Sequence, residues 1–471
     1  MLILAIILIV VAIVFIVFHG MKGKHVMKNG YNLSGRPDYS ESKLEIPIGA
    51  YCGPRKAGIE YMDGEETVPH NVSYVTDEGF QDFVDAGLSY VFAEYDANYE
   101  HKEDFNTYMK LAEKYGVDVY VLSNEMTKLL RQEGDTLTQE EKDFIVDILE
   151  ELKQYKSCKG LMMADEPYLE WLDKYTAATD YIKSLKQDLQ PLCAGLPLSY
   201  YFRDTSVYPG MVESLANSVG EFLYDFYPFT HSYNFMNEET YWTHDYWFQN
   251  LQIVAELCKG KCDAGVTIQS HGAGELRDVG LKEVSFQAYT ALAYGMKRLG
   301  YYTYWEHFSQ STKSSFTSAM VVWYDRFNPD SLAHKTETYY AVQTVNREIL
   351  KFDHVYMNFD WQGTQVLREK DSAGLLAPIP DYESPRIASL TGSDDVIVGC
   401  LKDQDAYDGF MLVNATDPSD DLSVEGDICF NDATKATVYV HGEPEEVTLT
   451  DGSYHYSLES GQGIFIIPYL E

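Results

Sequence analysis

Positive charge is scarce in this chain. It has 36 Lys and Arg against 73 Asp and Glu, a net charge of −37 over 471 residues. Such a surface repels phosphate, which argues against nucleic acid as a partner and fits an acidic, soluble domain. Cysteine is scarce too. There are seven, an odd count, and no Cys-x-x-Cys pair. Cys258 and Cys262 flank Lys-Gly-Lys with no histidine cluster nearby, so a helix end outweighs a metal or disulfide role. Cys52, Cys158, Cys193 and Cys400 lie in strand-like runs and read as small buried hydrophobes. A Gly-rich phosphate loop, a flavin motif and a metal-spaced ligand triad are all missing, so neither cofactor nor metal is expected.

Aromatic residues are abundant: 38 Tyr, 22 Phe and 6 Trp. A phenol prefers one apolar side and one wet end, so many of these tyrosines are expected at a rim. Such rims suit the C–H faces of sugar rings, although composition alone favours a Tyr-rich core. Hydrophobic residues make up 45% of the chain, enough for a large core.

The first residues form a separate unit. "MLILAIILIVVAIVFIVF" is an uncharged run of 18, enough for a marginal transmembrane helix. No small-x-small cleavage site follows, which predicts an uncleaved anchor over 1–20. Residues 21–44 read as a linker. Lys22, Lys24 and Lys28 follow the run, and the positive-inside rule would then place the main domain in the cytoplasm. Large glycans lie outside the cell, and the expectation adopted is a single-pass anchor with the domain on the outer face.

From residue 45 short apolar runs alternate with stretches of helical period. Strand-like runs are "IPIGAYCGP", "SYVFAEYD", "VDVYVLSNE", "CKGLMMADEP", "PLCAGLPLSYY", "EFLYDFYPF", "AGVTIQSHG" and "LGYYTYWEHF". Eight strands with intervening helices predict a (β/α)8 TIM barrel over 45–360, with a doubly wound open sheet as the alternative. A capping box is expected at Thr138 and Glu141. Beyond the last long helix the texture becomes short runs broken by Asp, Gly, Asn and Pro, which predicts a small antiparallel β-sandwich over 361–471. "PEEVTLTDGSYHYSL" reads as a hairpin turning at Asp-Gly.

In such a barrel the C-terminal strand ends converge on one site. They offer Glu94 and Asp96, Asn124 and Glu125, Asp165 and Glu166, Ser199 and Tyr200, and Asp225 and Tyr227. The last two strands add Gln269, Ser270 and His271, then Tyr304, Trp305, Glu306 and His307. Facing carboxylates between aromatic walls are the equipment of glycoside hydrolysis, in which one acid protonates the leaving oxygen and another acts as base or nucleophile. Crowding of like charges holds one such group protonated near neutrality. The candidate catalytic residues are therefore Glu166, Asp165, Glu306 and Asp225. The candidate substrate-binding residues are Glu94, Asp96, Tyr200, Tyr227, Gln269, His271, Tyr304 and Trp305. Blander roles compete: Asp165 and Glu166 as a capped loop start, Trp305 as barrel filling, Tyr227 as a plug at the mouth. Arg277 reads as a salt bridge to the next helix.

The runs "GLMMADEP", "GLPLSYY", "LYDFYPF", "VTIQSHG", "ELRDVGLKEVSFQAYTALAYGMKRLGYYTYW" and "YYAVQTVNREI" resemble, in order and spacing, the bacterial beta-galactosidase-like (β/α)8-barrel glycoside hydrolases. The resemblance covers about residues 46–350 and extends to the sandwich tail. It implies that Glu166, a Glu before Pro after the fourth strand, is the general acid/base, although Asp165 stands where those enzymes usually carry Asn. It also implies a nucleophilic Glu after the seventh strand, where this chain has Gln269; Glu275 lies six residues on. The departure leaves three readings. Glu306 or Asp225 supplies the second carboxylate, a substrate acetamido group is the nucleophile, or the protein binds sugar without cleaving it. The expected function is a membrane-anchored glycoside hydrolase acting on an oligo- or polysaccharide, the alternative a catalytically inactive carbohydrate-binding surface protein.

Overall fold

A computed structural model describes the chain from Met27 to Glu471, apart from residues 29, 59–60, 63–64, 67, 96–101, 202–203, 234–238, 307–317 and 369–374. The expected anchor at 1–20 lies outside the described residues. Among the described residues no helix is long and apolar enough to cross a membrane.

Eight parallel strands close into a barrel: β1 Ile48–Ala50, β2 Tyr90–Tyr95, β3 Asp118–Ser123, β4 Cys158–Asp165, β5 Gln190–Gly195, β6 Glu221–Phe226, β7 Asp263–Gln269 and β8 Arg298–Tyr302. Neighbours in sequence are neighbours in space, and β8 returns to β1 through Leu299↔Ile48 and Gly300↔Gly49. That closure removes the open-sheet alternative. Helices follow the strands: α1 Asp77–Asp85, α2 Lys102–Tyr115, α3 Asn124–Leu130, α4 Gln139–Leu152, α5 Leu172–Ser184, α6 Tyr208–Ser218, α7 Tyr246–Cys258, α8 Leu281–Ala293 and α9 Glu337–Ile349. Their starts are written locally. Thr76, Ser123 and Thr336 cap α1, α3 and α9. The capping box at α4 is made, Glu141 N–H donating to Thr138 Oγ1 at 3.2 Å and Thr138 N–H to Glu141 Oε2 at 2.7 Å.

Period-2 alternation sorts the strand residues into two layers. On β6, Phe222, Tyr224 and Phe226 join the shell under the helices, while Leu223 belongs to the barrel interior with Tyr90, Phe92, Tyr120, Met162 and Leu192. Gly49 is required on the inner side of β1, because a Cβ there would meet the Tyr90 ring at 2.4 Å. Arg298 closes the N-terminal end of the barrel. Its guanidinium donates to Glu221 Oε2 at 2.8 Å and Tyr120 Oη at 2.9 Å, and lies 4.4 Å from the Tyr90 ring centre.

Several strands stop earlier than the apolar runs suggest. β8 ends at Tyr302, so Tyr304, Trp305 and Glu306 lie beyond it. β5 ends at Gly195, and Leu198–Tyr201 is a 3-10 turn, so Tyr200 stands on a turn. Asn124 and Glu125 open α3.

The C-terminal region is a two-sheet sandwich of β9 Phe359–Leu367, β10 Ile387–Gly392, β11 Val396–Asp403, β12 Asp408–Asn414, β13 Val424–Phe430, β14 Lys435–Val440, β15 Glu443–Thr448, β16 Ser453–Leu458 and β17 Gly463–Tyr469. The larger sheet runs β9-β11-β12-β17-β14-β15, and the smaller β10-β13-β16. The expected Asp-Gly hairpin is not one. Asp451 and Gly452 do make a tight turn with positive φ, but β15 pairs with β14 and β16 with β13, so the turn crosses between sheets.

One face of the larger sheet, including Ile397, Leu401, Met411, Val413, Phe465 and Ile467, continues the barrel's core; Val398, Leu412 and Ile466 face the smaller sheet. Part of the expected linker also rests on the sandwich. Asn32 N–H donates to Ala406 O and Gly35 N–H to Leu470 O, both at 2.8 Å, and Tyr39 Oη donates to Asp403 at 2.7 Å.

Candidate active site

Two adjacent acids at the end of one strand should point to opposite faces. β4 avoids this with a bulge. Met162 pairs with Leu192 and Asp165 with Ala194, three residues against two. The extra residue re-aims the strand end, and Asp165 turns inward, where its Oδ1 accepts from Tyr51 Oη at 3.1 Å. Glu166 then adopts φ +47°, with its N–H donating to Ala194 O at 3.0 Å. The left-handed region is unfavourable for a residue with a Cβ and clusters at functional sites. It brings the Glu166 carboxyl to Asp225.

Asp225 follows Leu223 on the inner side of β6 and is 8% exposed. Its carboxyl hydrogen-bonds Glu166, and its Oδ1 has no partner among the described residues. Burial, then the charges of Glu166 and Asp165, push its pKa well above the usual carboxylate value. Asp225 therefore keeps its proton to higher pH than an ordinary carboxylate. Burial also pushes the Tyr51 and Tyr227 hydroxyls well up, with Asp165 and Asp225 the next-largest causes respectively, so both remain phenols. Tyr227 stacks on Tyr302 at 5.6 Å and meets His271 edge-on at 5.0 Å; Tyr302 meets Tyr51 at 5.6 Å. Nδ1–H of His271 donates to Tyr302 O at 2.7 Å, and burial pushes that imidazole down to about 4. The mouth is thus three carboxyls, of which Asp225 keeps its proton above the ordinary carboxylate range, walled by Tyr51, Tyr227, Tyr302 and a neutral His271.

Other expected site residues stand elsewhere. Gln269 is fully buried: its Oε1 accepts from Phe229 N–H at 3.0 Å, and its Nε2 donates to His271 O at 3.0 Å and Arg277 O at 2.8 Å. It ties loops together and its amide is spent on backbone. Tyr304 is 1% exposed and packs on Phe83 of α1, in the shell outside the barrel. Trp305 is 2% exposed between Tyr74 and Trp323. Glu306 belongs to a separate cluster, accepting from Trp323 N–H and pairing with Arg326 at 3.2 Å, while its carbonyl accepts from Arg55 at 2.8 Å. Glu306 is not among the largest influences on Asp225, which are burial, Glu166 and Asp165. Tyr200 is half exposed beside Tyr168. Glu94 is the last residue but one of β2; its side chain, Asp96 and His307 lie outside the described residues. Arg277 makes the expected ion pair, to Glu283 of α8 at 2.9 Å.

Tyr51 and Tyr302 were missed from the sequence. Alternation held their signal: Arg298, Gly300 and Tyr302 share one face of β8, and Tyr51 continues the face of Gly49. No group of His, Cys, Asp and Glu among the described residues has the geometry to hold a metal ion. A cavity of about 560 Å³ opens at the opposite end of the barrel, lined by Cys258, Cys262, Lys297, Asp263 and Trp361. It is remote from the carboxyls.

No family model matches the sequence, and no curated protein matches it. Solved structures do match in fold. A glycoside hydrolase family 5 protein from Bacteroides vulgatus is 11% identical, with a TM-score of 0.51, covering 90% of this chain and 89% of its own. An Anoxybacillus alpha-amylase, described as a new glycosyl hydrolase subclass, is 8% identical, with a TM-score of 0.50, covering 93% of this chain and 99% of its own. At these identities the likeness is one of fold alone.

Proposed function

We propose that the protein is a glycoside hydrolase acting on an oligo- or polysaccharide. The observation that carries this reading is the contact between Glu166 and Asp225 at the barrel mouth, beside an Asp165 held as acceptor by Tyr51. The Glu166–Asp225 pair is the proton source for the leaving glycosidic oxygen, with Glu166, the less buried partner, delivering it. Asp165 is the second carboxylate, placed to accept a proton from water or to stabilise positive charge at the sugar carbon. Tyr227 and Tyr302 supply apolar walls for the ring. The folds of the two glycoside hydrolases above fit this reading. The beta-galactosidase-like kinship is supported by Glu166 before Pro167. A nucleophile at position 269 is not, because Gln269 is engaged by backbone.

Glu166→Gln is nearly isosteric, so its effect reports chemistry and not packing. Hydrolysis of a glycoside with a poor leaving group should fall by at least about 10²-fold, the worth of a positioned acid. An activated aryl glycoside should lose less, because its leaving group needs little protonation. Full activity of Glu166→Gln on the poor substrate would remove Glu166 from the acid role. Sugar binding without cleavage is a second reading, favoured by one fact: Gln269 stands where the resemblance expects the second catalytic carboxylate, and its amide is spent on backbone. A pure binder shows no turnover on any chromogenic glycoside, and its affinity survives Glu166→Gln.

We also propose that residues 1–20 anchor the domain at the outer face of a membrane, supported by the uncharged apolar run there. Protease shaving of intact cells should release the domain, and protection of the domain would place it inside.

A further inference from the structure

Tyr168 lies two residues beyond Glu166, and Tyr200 on the turn after β5. Their rings stack at 5.8 Å and 23°, and their hydroxyls are hydrogen-bonded. Trp171 packs on Tyr168 at 4.6 Å and carries Arg131 over its ring at 4.7 Å; Tyr201 meets Tyr200 edge-on at 5.3 Å. Among the described residues most large aromatics are buried; Tyr168 at 38% and Tyr200 at 50% belong to the few exposed ones, with Tyr324, Phe327 and Tyr340. Core packing gives no reason to leave two stacked rings in water. The slab begins beside the carboxyls, because Tyr168 follows Glu166 by two residues and holds Tyr200 against its ring. A general acid stands on the leaving-group side of the bond it protonates. Aromatic residues next to it therefore flank the sugar that departs.

We infer that Tyr168 and Tyr200 form a leaving-group-side subsite that stacks a pyranose ring, so the substrate is a sugar chain and not a single sugar with a small substituent. The inference rests on Glu166 acting as the acid, and one set of measurements separates the two. Wild type, Tyr168→Ala and Tyr200→Ala are assayed on cello-, galacto-, manno- and xylotetraose. They are also assayed on the glycosyl fluoride of the sugar that is cleaved, whose leaving group is too small to reach the slab. The kcat/KM on the tetrasaccharide should fall about 3- to 10-fold more than on the fluoride, the worth of one aromatic contact. Equal losses on both substrates overturn the subsite and leave the glycosidase reading standing. If wild type cleaves none of these sugars, the glycosidase reading loses its support and binding decides the slab. Tetraose titration that shifts tryptophan emission in wild type but not in Trp171→Phe supports it, and no shift in wild type overturns it.

Discussion

Asp225 carries the heaviest electrostatic burden of any single residue at the mouth. It is buried, faces two other carboxyls, and has one oxygen without a partner among the described residues. Its folded pKa is raised from 3.8. Below 3.8 it is protonated in both folded and unfolded chains and costs nothing. As pH rises from 3.8 towards the folded value, the unfolded chain releases the proton and the folded one keeps it, so stability falls. Asp225→Asn removes this loss. The variant should be inactive yet more stable than wild type, with a difference in Tm that widens as pH rises above about 4. Thermal melts between pH 3.5 and 8 check it. A constant difference would mean that Asp225 does not hold its proton into that range. Glu166 and Asp225 were readable as candidates because strand ends carry chemistry in this architecture. Their contact was not, since it depends on a bulge between Met162 and Asp165 that no residue pattern announces.

The barrel strands divide into three inner layers. Tyr51, Asp165, Asp225 and Tyr302 occupy the top, Phe92, Met162, Leu192 and Leu223 the middle, and Arg298 with Glu221, Tyr90 and Tyr120 the base. The base is the least forgiving layer, because Arg298 is buried and one of its nitrogens, Nη1, has no partner among the described residues. Removing its counter-charge leaves a guanidinium in a low-dielectric site. Glu221→Gln should therefore destabilise the fold by about 3 kcal/mol, the low end for breaking a buried pair because Glu221 is partly wet. Denaturant titration checks this, and a change under about 0.5 kcal/mol, ordinary for a surface substitution, would show that water already reaches the pair. Substrate affinity at the far end should stay within twofold of wild type, about 0.4 kcal/mol. Alternation made these layers accessible from sequence. Strand ends were not, because Thr303–Trp305 is as apolar as a strand and only hydrogen bonding decides where the ladder stops.

At the scale of the whole molecule, the shell under the barrel helices continues onto one face of the larger sandwich sheet, while the barrel interior and the space between the two sheets are separate cores. The contact of barrel and sandwich depends on close backbone approach at Gly399 on β11, where a Cβ would lie 2.0 Å from Ala293 O at the end of α8. A backbone oxygen cannot swing away as a side chain does. Gly399→Ala should cost about 1–3 kcal/mol, as overpacking of a filled interface does. Gly210→Ala, whose Cβ meets nothing within 4 Å, is the control and should be neutral or slightly stabilising. Differential scanning calorimetry should show one transition for wild type. Two separate transitions would mean that the halves do not unfold together.

By itself the sequence determined the succession of strands and helices, the sandwich that follows them and the acids at the strand ends, because hydrophobic period and capping are local properties of the chain. It determined much of the inward and outward sorting as well, since a strand's period is two. The tertiary structure alone decided that the sheet closes, that Asp165 and Glu166 both reach the mouth, that Gln269 and Glu306 are occupied elsewhere, and that Asp451 and Gly452 turn between sheets. Each of these depends on which distant residue supplies a hydrogen bond or a charge. No local pattern carries that information, because such partners meet only when the chain is folded.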